Sequence, residues 1–128
     1  MRFLLDTHTF IWWHSEPSKL STKALELFQD DDSDLFLSVA SLWEMQIKIQ
    51  AGKLQLKMSL DAIVATQQQL SQIQILPIEL PHVLGLEVLP PHHKDPFDRL
   101  LIAQARVENL TLISSDPIFK QYPVQVMW

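Results

Sequence analysis

Four isolated acidic residues are the side chains of this chain best suited to chemistry. They are Asp6 in RFLLDTHTF, Glu44 in SVASLWEMQIK, Asp98 in HHKDPFDRLLIAQA and Asp116 in TLISSDP. Each follows an apolar run or lies inside one, where an ionised carboxylate is costly unless a cation meets it. The sequence sets no obvious basic residue aside for these acids. We therefore expect a divalent metal ion to be their partner.

The donor atoms indicate which ion and which reaction to expect. The chain has no cysteine, and oxygen ligands alone favour a hard cation, Mg²⁺ or else Mn²⁺. Two unit charges about 4 Å apart repel by about 4 kcal/mol at an effective dielectric constant near 20, so four converging carboxylates need a counter-charge. One or two such ions can activate water and stabilise an in-line displacement at phosphorus. The predicted chemistry is hydrolysis of a phosphodiester.

Three of the acids also have simpler structural explanations. Asp6 and Asp116 each stand where an aspartate would cap a helix or open a turn. Glu44 has Lys48 four residues later, the stabilising orientation of a pair on a helix surface. For these residues, capping or surface pairing remains an alternative to a catalytic role.

Two aspartates stand close together in HHKDPFDR and need different interpretations. Asp95 precedes a proline, which is the arrangement of a helix N-cap followed by proline at the first helical position. Asp98 shares a helical stripe with apolar residues of the same segment, so it points towards the edge of the core. We assign Asp95 to capping and Asp98 to the site.

Strand and helix patterns alternate along the chain. Short apolar or alternating runs predict strands at residues 3–5, 35–37, 73–75, 110–113 and 124–126. Helical spacing and capping residues predict helices at residues 7–14, 21–28, 38–50, 59–70, 82–86 and 95–108. Strands separated by helices imply crossover connections. We predict an α/β fold, with one domain over residues 1–128 and a mainly parallel central sheet of about four to five strands with helices on both faces.

This topology predicts where the acids lie. Ligands bind outside the carboxyl ends of the strands in such sheets. Asp6 and Asp116 directly follow strands, Glu44 lies in the helix after the second strand, and Asp98 lies in the first turn of its helix, so all four can reach that edge. The acidic run at residues 30–34 precedes its strand, so we expect a solvated loop at the opposite edge.

Composition limits the class of protein. A length of 128 residues suffices for one hydrophobic core, and the absence of cysteine excludes disulfides, zinc–thiolate sites and thiol nucleophiles. The net charge of −5 argues against attraction to nucleic acid over the whole surface. We find neither a signal-peptide pattern nor the roughly 18 apolar residues that span a bilayer. We expect a soluble, cytoplasmic protein that does not contact the membrane.

The motifs LLDTHTFIWW, SVASLWEMQIKIQAGKL, HHKDPFDRLLIAQA and TLISSD resemble those of PIN-domain ribonucleases, in the same order. They look most like the VapC toxins of type II toxin–antitoxin pairs, and the resemblance covers essentially the whole chain. It implies a PIN-like nuclease domain with Mg²⁺-dependent endoribonuclease activity on RNA. It also implies a homodimer that a small antitoxin protein neutralises.

The resemblance implies roles for the four acids, carried over by position. Asp6 and Asp98 would bind the metal most directly, and Asp116 would complete its ligand shell, directly or through water. Glu44 would orient a water molecule or a second ion.

Five further residues match the family pattern or its surroundings. Thr7 and Ser114 are candidate hydrogen-bonding partners of the acids, with simple capping as the alternative. His93 either contacts substrate or lies in a solvated loop, and Arg99 either pairs locally or grips a phosphate. Lys48 is a candidate contact for the RNA backbone, with a purely solvated surface role as the alternative.

The adjacent Trp12 and Trp13 suggest a partner surface. Neighbouring helical positions are about 100° apart, so one face of a small core rarely accommodates both rings. We predict that one of them helps to cover a subunit or antitoxin interface, and a role in the core alone is the alternative.

Other functions fit less well. Glycine occurs only at positions 52 and 85, so no glycine-rich phosphate loop exists. A phosphoacceptor receiver domain would need paired acids after the first strand, and a haloacid-dehalogenase-type phosphatase would need an aspartate where the chain has His8. The remaining alternatives are a PIN-like housekeeping nuclease and a PIN-like module that binds a partner without cleaving RNA.

Overall fold

The computed structural model describes residues 1–128 and alternates strands with helices. The strands are β1 (Arg2–Leu5), β2 (Asp34–Ser38), β3 (Gln74–Leu76), β4 (Thr111–Ile113) and β5 (Val126–Met127). The helices are α1 (Thr7–Ser15), α2 (Thr22–Gln29), α3 (Val39–Gln50), α4 (Leu60–Leu70), α5 (Leu80–Leu84) and α6 (Pro96–Glu108). Short 3₁₀ turns occupy Pro17–Lys19, Gly85–Val88 and Pro117–Gln121. None of the helices has the length and apolar character that crossing a membrane requires.

All five strands form one sheet in the order β3-β2-β1-β4-β5, and every neighbouring pair is parallel. The predicted α/β fold class is confirmed. The chain runs outward from β1 to β3 and then returns to the other side of β1 for β4 and β5. The strand order therefore reverses between β1 and β4, and such a switch point opens a crevice at the carboxyl ends of the strands.

Helices cover both faces of the sheet, as predicted. Successive side chains of β1 point to opposite faces: Leu4 joins a core cluster with Leu101 of α6, whereas Phe3 and Leu5 join a second cluster with Phe10 of α1. All five of these side chains are at most 1% exposed, so β1 is buried on both faces. The residue that follows β1 therefore emerges from the centre of the sheet.

The start of α6 is fixed by its cap. One carboxylate oxygen of Asp95 accepts hydrogen bonds from the backbone N–H groups of Phe97 (2.8 Å) and Asp98 (3.1 Å), so the predicted capping role is confirmed. The helix ends at Asn109, whose φ of 56° is left-handed. Because α6 leads back to the start of β4, its first turn lies at the edge where β4 ends.

Two elements differ from the sequence prediction by about two residues. Helix α5 begins at Leu80 rather than 82, because the backbone N–H of Glu79 donates to Nδ1 of His82 (3.0 Å) and closes the first turn earlier. The last strand begins at Val126 rather than 124, because it is hydrogen-bonded only where it lies beside the end of β4.

Candidate active site

Asp6 lies directly after β1 at the switch point and is 5% exposed. Its Oδ1 accepts a hydrogen bond from the backbone N–H of Thr9 (2.7 Å), so it caps α1. Its Oδ2 accepts a hydrogen bond from the hydroxyl of Ser114. Burial raises the pKa of Asp6, and these hydrogen bonds only partly oppose the rise. The predicted cap is present, but it belongs to a desolvated carboxylate at the centre of the sheet.

Ser114 connects Asp6 with the last of the four acids. This serine is 1% exposed, and its Oγ also accepts a hydrogen bond from the backbone N–H of Asp116 (3.1 Å). Asp116 is exposed and uses Oδ1 to cap the 3₁₀ turn at the N–H of Ile118 (3.0 Å). The end of β4 thus brings Asp116 next to Asp6, although its side chain is turned towards the turn it caps.

Glu44 projects from α3 and is only 5% exposed. Its Oε2 accepts a hydrogen bond from Nζ of Lys48 (2.7 Å), whereas its Oε1 is buried without any hydrogen-bonding partner. The expectation that no basic residue meets the acids is wrong here, because the lysine one helical turn away reaches the carboxylate. The pair that the sequence offered as an alternative for Glu44 is therefore formed, but its Glu44 end is buried rather than on the surface.

Asp98 lies in the first turn of α6, with its Oδ2 2.7 Å from Nε2 of His93. Burial raises the pKa of Asp98 to about 6, the His93 hydrogen bond opposes the rise, and the negative charges of Asp95 and Glu44 add to it. The contribution of Glu44 reflects how near α3 brings its carboxylate to that of Asp98. A basic partner meets this acid as well, which the sequence did not lead us to expect.

The four acids do not form one tight cluster. Ser114 joins Asp6 to Asp116, whereas Glu44 and Asp98 lie on α3 and α6, two helices that pack against each other. No three of the four place their carboxylate oxygens all within 4.8 Å of one another. Asp98 and Asp116 each turn towards a local hydrogen-bonding partner.

The donor set fits a hard divalent cation. Oε1 of Glu44 is a buried oxygen without a partner, and none of the ion pairs in the structure involves the buried Asp6. The protein itself therefore leaves one oxygen of Glu44 without a hydrogen bond and gives Asp6 no basic side chain as a partner. A ligand set made of carboxylate oxygens is the kind that Mg²⁺ and Mn²⁺ accept.

Comparison with known proteins gives the family. The sequence model of the PIN domain matches residues 3–125. This chain belongs to the PIN domain family. Ribonuclease VapC22 of Mycobacterium tuberculosis (strain ATCC 25618 / H37Rv) is 28% identical to it over 115 residues, which cover 88% of this chain and 85% of the relative. The resemblance to PIN-domain ribonucleases of the VapC type is confirmed.

Solved structures share the same fold. A chain of VapBC2 from Rickettsia felis, crystallised with a DNA fragment from its promoter, superposes with a TM-score of 0.74 at 19% identity, covering 99% of this chain and 98% of that one. A chain of VapBC-1 from nontypeable Haemophilus influenzae gives a TM-score of 0.70 at 18% identity, covering 99% and 97%. At these identities the likeness establishes the PIN fold.

Thr7 and Arg99, two residues that the sequence analysis singled out, contact other groups than the acids in this PIN domain. Thr7 is buried, and its hydroxyl donates to Oγ of Ser41 (3.0 Å), which ties the start of α1 to α3 rather than to an acid. Arg99 donates to the backbone oxygens of Leu89 (3.4 Å) and Pro90 (2.9 Å). Its guanidinium therefore fixes the loop before α6, the local role that the sequence left open.

Tyr122 is a residue of the PIN domain that sequence reasoning missed. Its buried hydroxyl donates to the backbone oxygen of Pro90 (2.9 Å) and accepts from the backbone N–H of His93 (2.8 Å) and from Arg99 (3.3 Å). These three hydrogen bonds form a clamp that fixes the loop carrying His93, so that the His93 ring stays beside Asp98. Nothing in the sequence pattern singles out this tyrosine, because its contacts come from a loop about 30 residues earlier.

Sequence reasoning also missed the aromatic residues that precede two of the acids. Trp43 stands immediately before Glu44, and Phe97 immediately before Asp98. Their ring centroids are 5.1 Å apart and their planes meet at 84°. The motifs SLWE and DPFD carry this signal, although only the packing of α3 against α6 shows that the two rings meet.

The tryptophan pair of α1 is only partly covered. Trp13 stacks on Phe28 with centroids 4.4 Å apart, and Trp12 makes an edge contact with Trp128 at 5.9 Å. Both tryptophans are half-buried. The prediction that one of them helps to form a subunit or antitoxin interface stays a prediction.

Proposed function

We propose that this PIN domain is a Mg²⁺-dependent endoribonuclease that hydrolyses RNA phosphodiester bonds. The observation that carries the proposal is the buried, unpartnered Oε1 of Glu44 beside the desolvated Asp98, at the same sheet edge as the buried Asp6. The similarity of this chain to ribonuclease VapC22 supports RNA cleavage over other phosphodiester cleavages.

We assign Asp6, Asp98 and Asp116 to binding Mg²⁺, with Mn²⁺ as a possible substitute. When bound, such an ion lowers the pKa of a coordinated water and offsets charge on the reacting phosphate. Asp6 is preorganised for this task, since Thr9 and Ser114 each fix one of its oxygens. His93 orients Asp98 in the same way.

Glu44 is the residue we assign to the attacking water. Lys48 holds Oε2, so the other oxygen is fixed in direction and free to accept a hydrogen bond. A carboxylate in that position aligns the water and draws on its proton. Lys48 therefore acts through Glu44 rather than by gripping the RNA backbone.

We further propose that the nuclease is the toxin of a toxin–antitoxin pair, acting in the cytoplasm as a homodimer. Structural similarity to chains of VapBC2 from Rickettsia felis and VapBC-1 from Haemophilus influenzae supports a small protein partner. Growth arrest on expression, relieved by co-expressing the small protein encoded beside it, is the expected result. Arrest without relief would indicate a different kind of nuclease, and sedimentation of the purified chain tests the dimer.

Cleavage of a panel of structured RNAs by the purified protein tests the nuclease proposal. We expect cleavage with Mg²⁺, none in chelator and none by Asp6→Asn. Asp32→Asn is the matched control, because it makes the same change in charge at an exposed position of the opposite edge. Cleavage that persists in chelator or in Asp6→Asn would contradict the mechanism, and an inactive wild-type protein would favour a binding module.

A further inference from the structure

An aromatic pair borders the acidic site, and of its two rings Trp43 is exposed and Phe97 is half-buried. Trp43 on α3 and Phe97 on α6 make an edge-to-face contact, with ring centroids 5.1 Å apart. Each ring is the chain neighbour of an acid, Glu44 in one case and Asp98 in the other. The contact therefore joins α3 to α6 at the residues next to two of the acids proposed for the reaction.

Most of the indole of Trp43 is open to solvent. The residue is 58% exposed, whereas tryptophan is highly buried on average. Phe97 covers one side of the ring only, and no other aromatic contact involves Trp43. A flat apolar surface therefore faces the solvent next to the acids.

Charge alone is a weak source of affinity for RNA in this chain. The net charge is −5, the Nζ of Lys48 is bound to Glu44, and the guanidinium of Arg99 is bound to loop carbonyls. The other main source of affinity for single-stranded RNA is stacking of bases on aromatic side chains. Stacking needs an exposed ring and no positive field.

We propose that Trp43, supported at its edge by Phe97, is a stacking platform for one unpaired base of the RNA substrate. This inference rests on the proposed ribonuclease function and adds a substrate-contacting residue to it. Bases in a duplex already stack on their neighbours, so the ring can receive a base only where the RNA is unpaired. The stacked nucleotide lies beside the phosphodiester to be cleaved.

The platform is tested by measuring how tightly the protein binds a labelled single-stranded RNA 12-mer of mixed sequence. The control ligand is a 12-mer with the same backbone and no bases. Fluorescence anisotropy is read with Ca²⁺ in place of Mg²⁺, and a gel verifies that the RNA stays intact. We expect Trp43→Ala to weaken RNA binding by about five- to 100-fold, the loss that one stacked base gives. Binding of the abasic oligomer is expected to be weak and unchanged.

Two further variants separate stacking from a general effect on the fold. Trp43→Phe keeps an aromatic face and is expected to retain most of the affinity. Ile47→Ala removes another exposed apolar side chain one turn along α3, 42% exposed, and is expected to bind like the wild type. With an RNA that the protein cleaves, Trp43→Ala is expected to raise KM and leave kcat nearly unchanged, because stacking stabilises the bound substrate.

The outcomes separate this inference from the function on which it rests. Wild-type affinity in Trp43→Ala, equal binding of the abasic oligomer, or no binding of either ligand by the wild type overturns the platform, whether or not the protein cleaves RNA. Unchanged RNA binding with weakened antitoxin binding or self-association overturns it too, because the ring then serves a protein interface. Base-dependent binding through Trp43 without any cleavage supports the platform while the nuclease proposal fails.

Discussion

Two acidic regions lie at opposite edges of the same sheet. Around the start of β2 the chain carries four exposed aspartates: Asp30, Asp31 and Asp32 lie in the preceding loop, and Asp34 is the first residue of the strand. At the carboxyl edge, Asp6 and Glu44 are each 5% exposed and Asp98 is half-buried. The first region has more acidic residues close together in the sequence, and the second has acidic side chains that are less exposed to solvent.

The difference shows that desolvation, rather than the density of acidic residues, creates a reactive site. Exposed aspartates are stabilised by water and need no further partner, whereas burial raises the pKa of Asp6 and of Asp98. A surface cavity of about 630 Å³ lies beside the acidic run, with Gln72 and Gln74 in its wall. This cavity lies at the opposite edge from the one that the chemistry indicates.

The largest expected effect is a difference in RNA cleavage rate between substitutions of two aspartates at the start of α6. Asp98→Asn is expected to lower the rate of RNA cleavage by about 100- to 1,000-fold, because a preorganised charge at the reaction centre is lost. Asp95→Asn is expected to stay within about threefold, since asparagine caps a helix as well as aspartate does. Initial rates at saturating Mg²⁺ check this, and equal losses would contradict the distinction between the two.

The next prediction concerns pH and the free energy of unfolding without metal. The pKa of Asp98 is about 6 in the folded protein and near its ordinary 3.8 when unfolded, so the folded state binds the proton more tightly. This contribution is fully present below about pH 4 and is lost as the pH rises through 6, a change of about 3 kcal/mol. Urea unfolding in chelator at pH 4.5 and 7.5 captures about 2 kcal/mol of this change, because Asp98 is already mostly ionised in the unfolded state at pH 4.5.

Asp98→Asn is the variant that sharpens the pH prediction. It cannot ionise, so we expect its free energy of unfolding in chelator to exceed that of the wild type at pH 7.5. Mg²⁺ is expected to raise the midpoint of thermal unfolding of the wild type at pH 7.5 and that of the variant much less. A wild-type protein that gains stability from pH 4.5 to 7.5 more than Asp98→Asn does would contradict the assigned sign.

A smaller effect is expected at the clamp behind the site. Tyr122→Phe leaves the backbone N–H of His93 without its partner, at a cost of about 1–3 kcal/mol in the free energy of unfolding. Cleavage is expected to fall as well, because His93 is no longer held on Asp98. Phe119→Leu, a change in the core nearby that keeps this hydroxyl, is the control. Loss of stability with unchanged cleavage would limit Tyr122 to a structural role.

The smallest effect is expected in the acidic run. Asp31→Asn and Asp32→Asn together should change the free energy of unfolding by less than about 0.5 kcal/mol, because both side chains are exposed. Cleavage should stay at the wild-type level. A large loss of activity in this pair would mean that the opposite edge takes part in function, and the comparison of the two regions would fail.

Most of the fold was predictable because local signals and global topology agree. Ser21, Ser59 and Asp95 each cap a helix where the sequence places one, and buried apolar runs form the strands between the helices. The errors were confined to ends: α5 starts early through a hydrogen bond to His82, and β5 is defined only by its neighbour β4. Boundaries set by tertiary contacts leave no local trace.

The candidate site was predictable in its members and less so in its contacts. The sequence placed Asp6, Glu44, Asp98 and Asp116 at one edge of the sheet. The sequence offered the contact of Lys48 with Glu44 only as a surface pair, and it did not lead us to expect that His93 meets Asp98 or that Tyr122 supports His93. Those contacts depend on side-chain directions and on loop packing, which have no periodic signature.

The identities and order of the elements, and therefore the parallel sheet, follow from the sequence alone, since hydrophobic periodicity and caps are local properties. The order of the strands within the sheet, and with it the switch point, was decided by the tertiary structure. Only the tertiary structure decided that Glu44 is buried with one free oxygen and that Trp43 lies open beside it. Desolvation is a property of what surrounds a side chain. The burial of Glu44 is decided when α3 packs against α6. These two helices are far apart in the sequence, so no local pattern reports their contact.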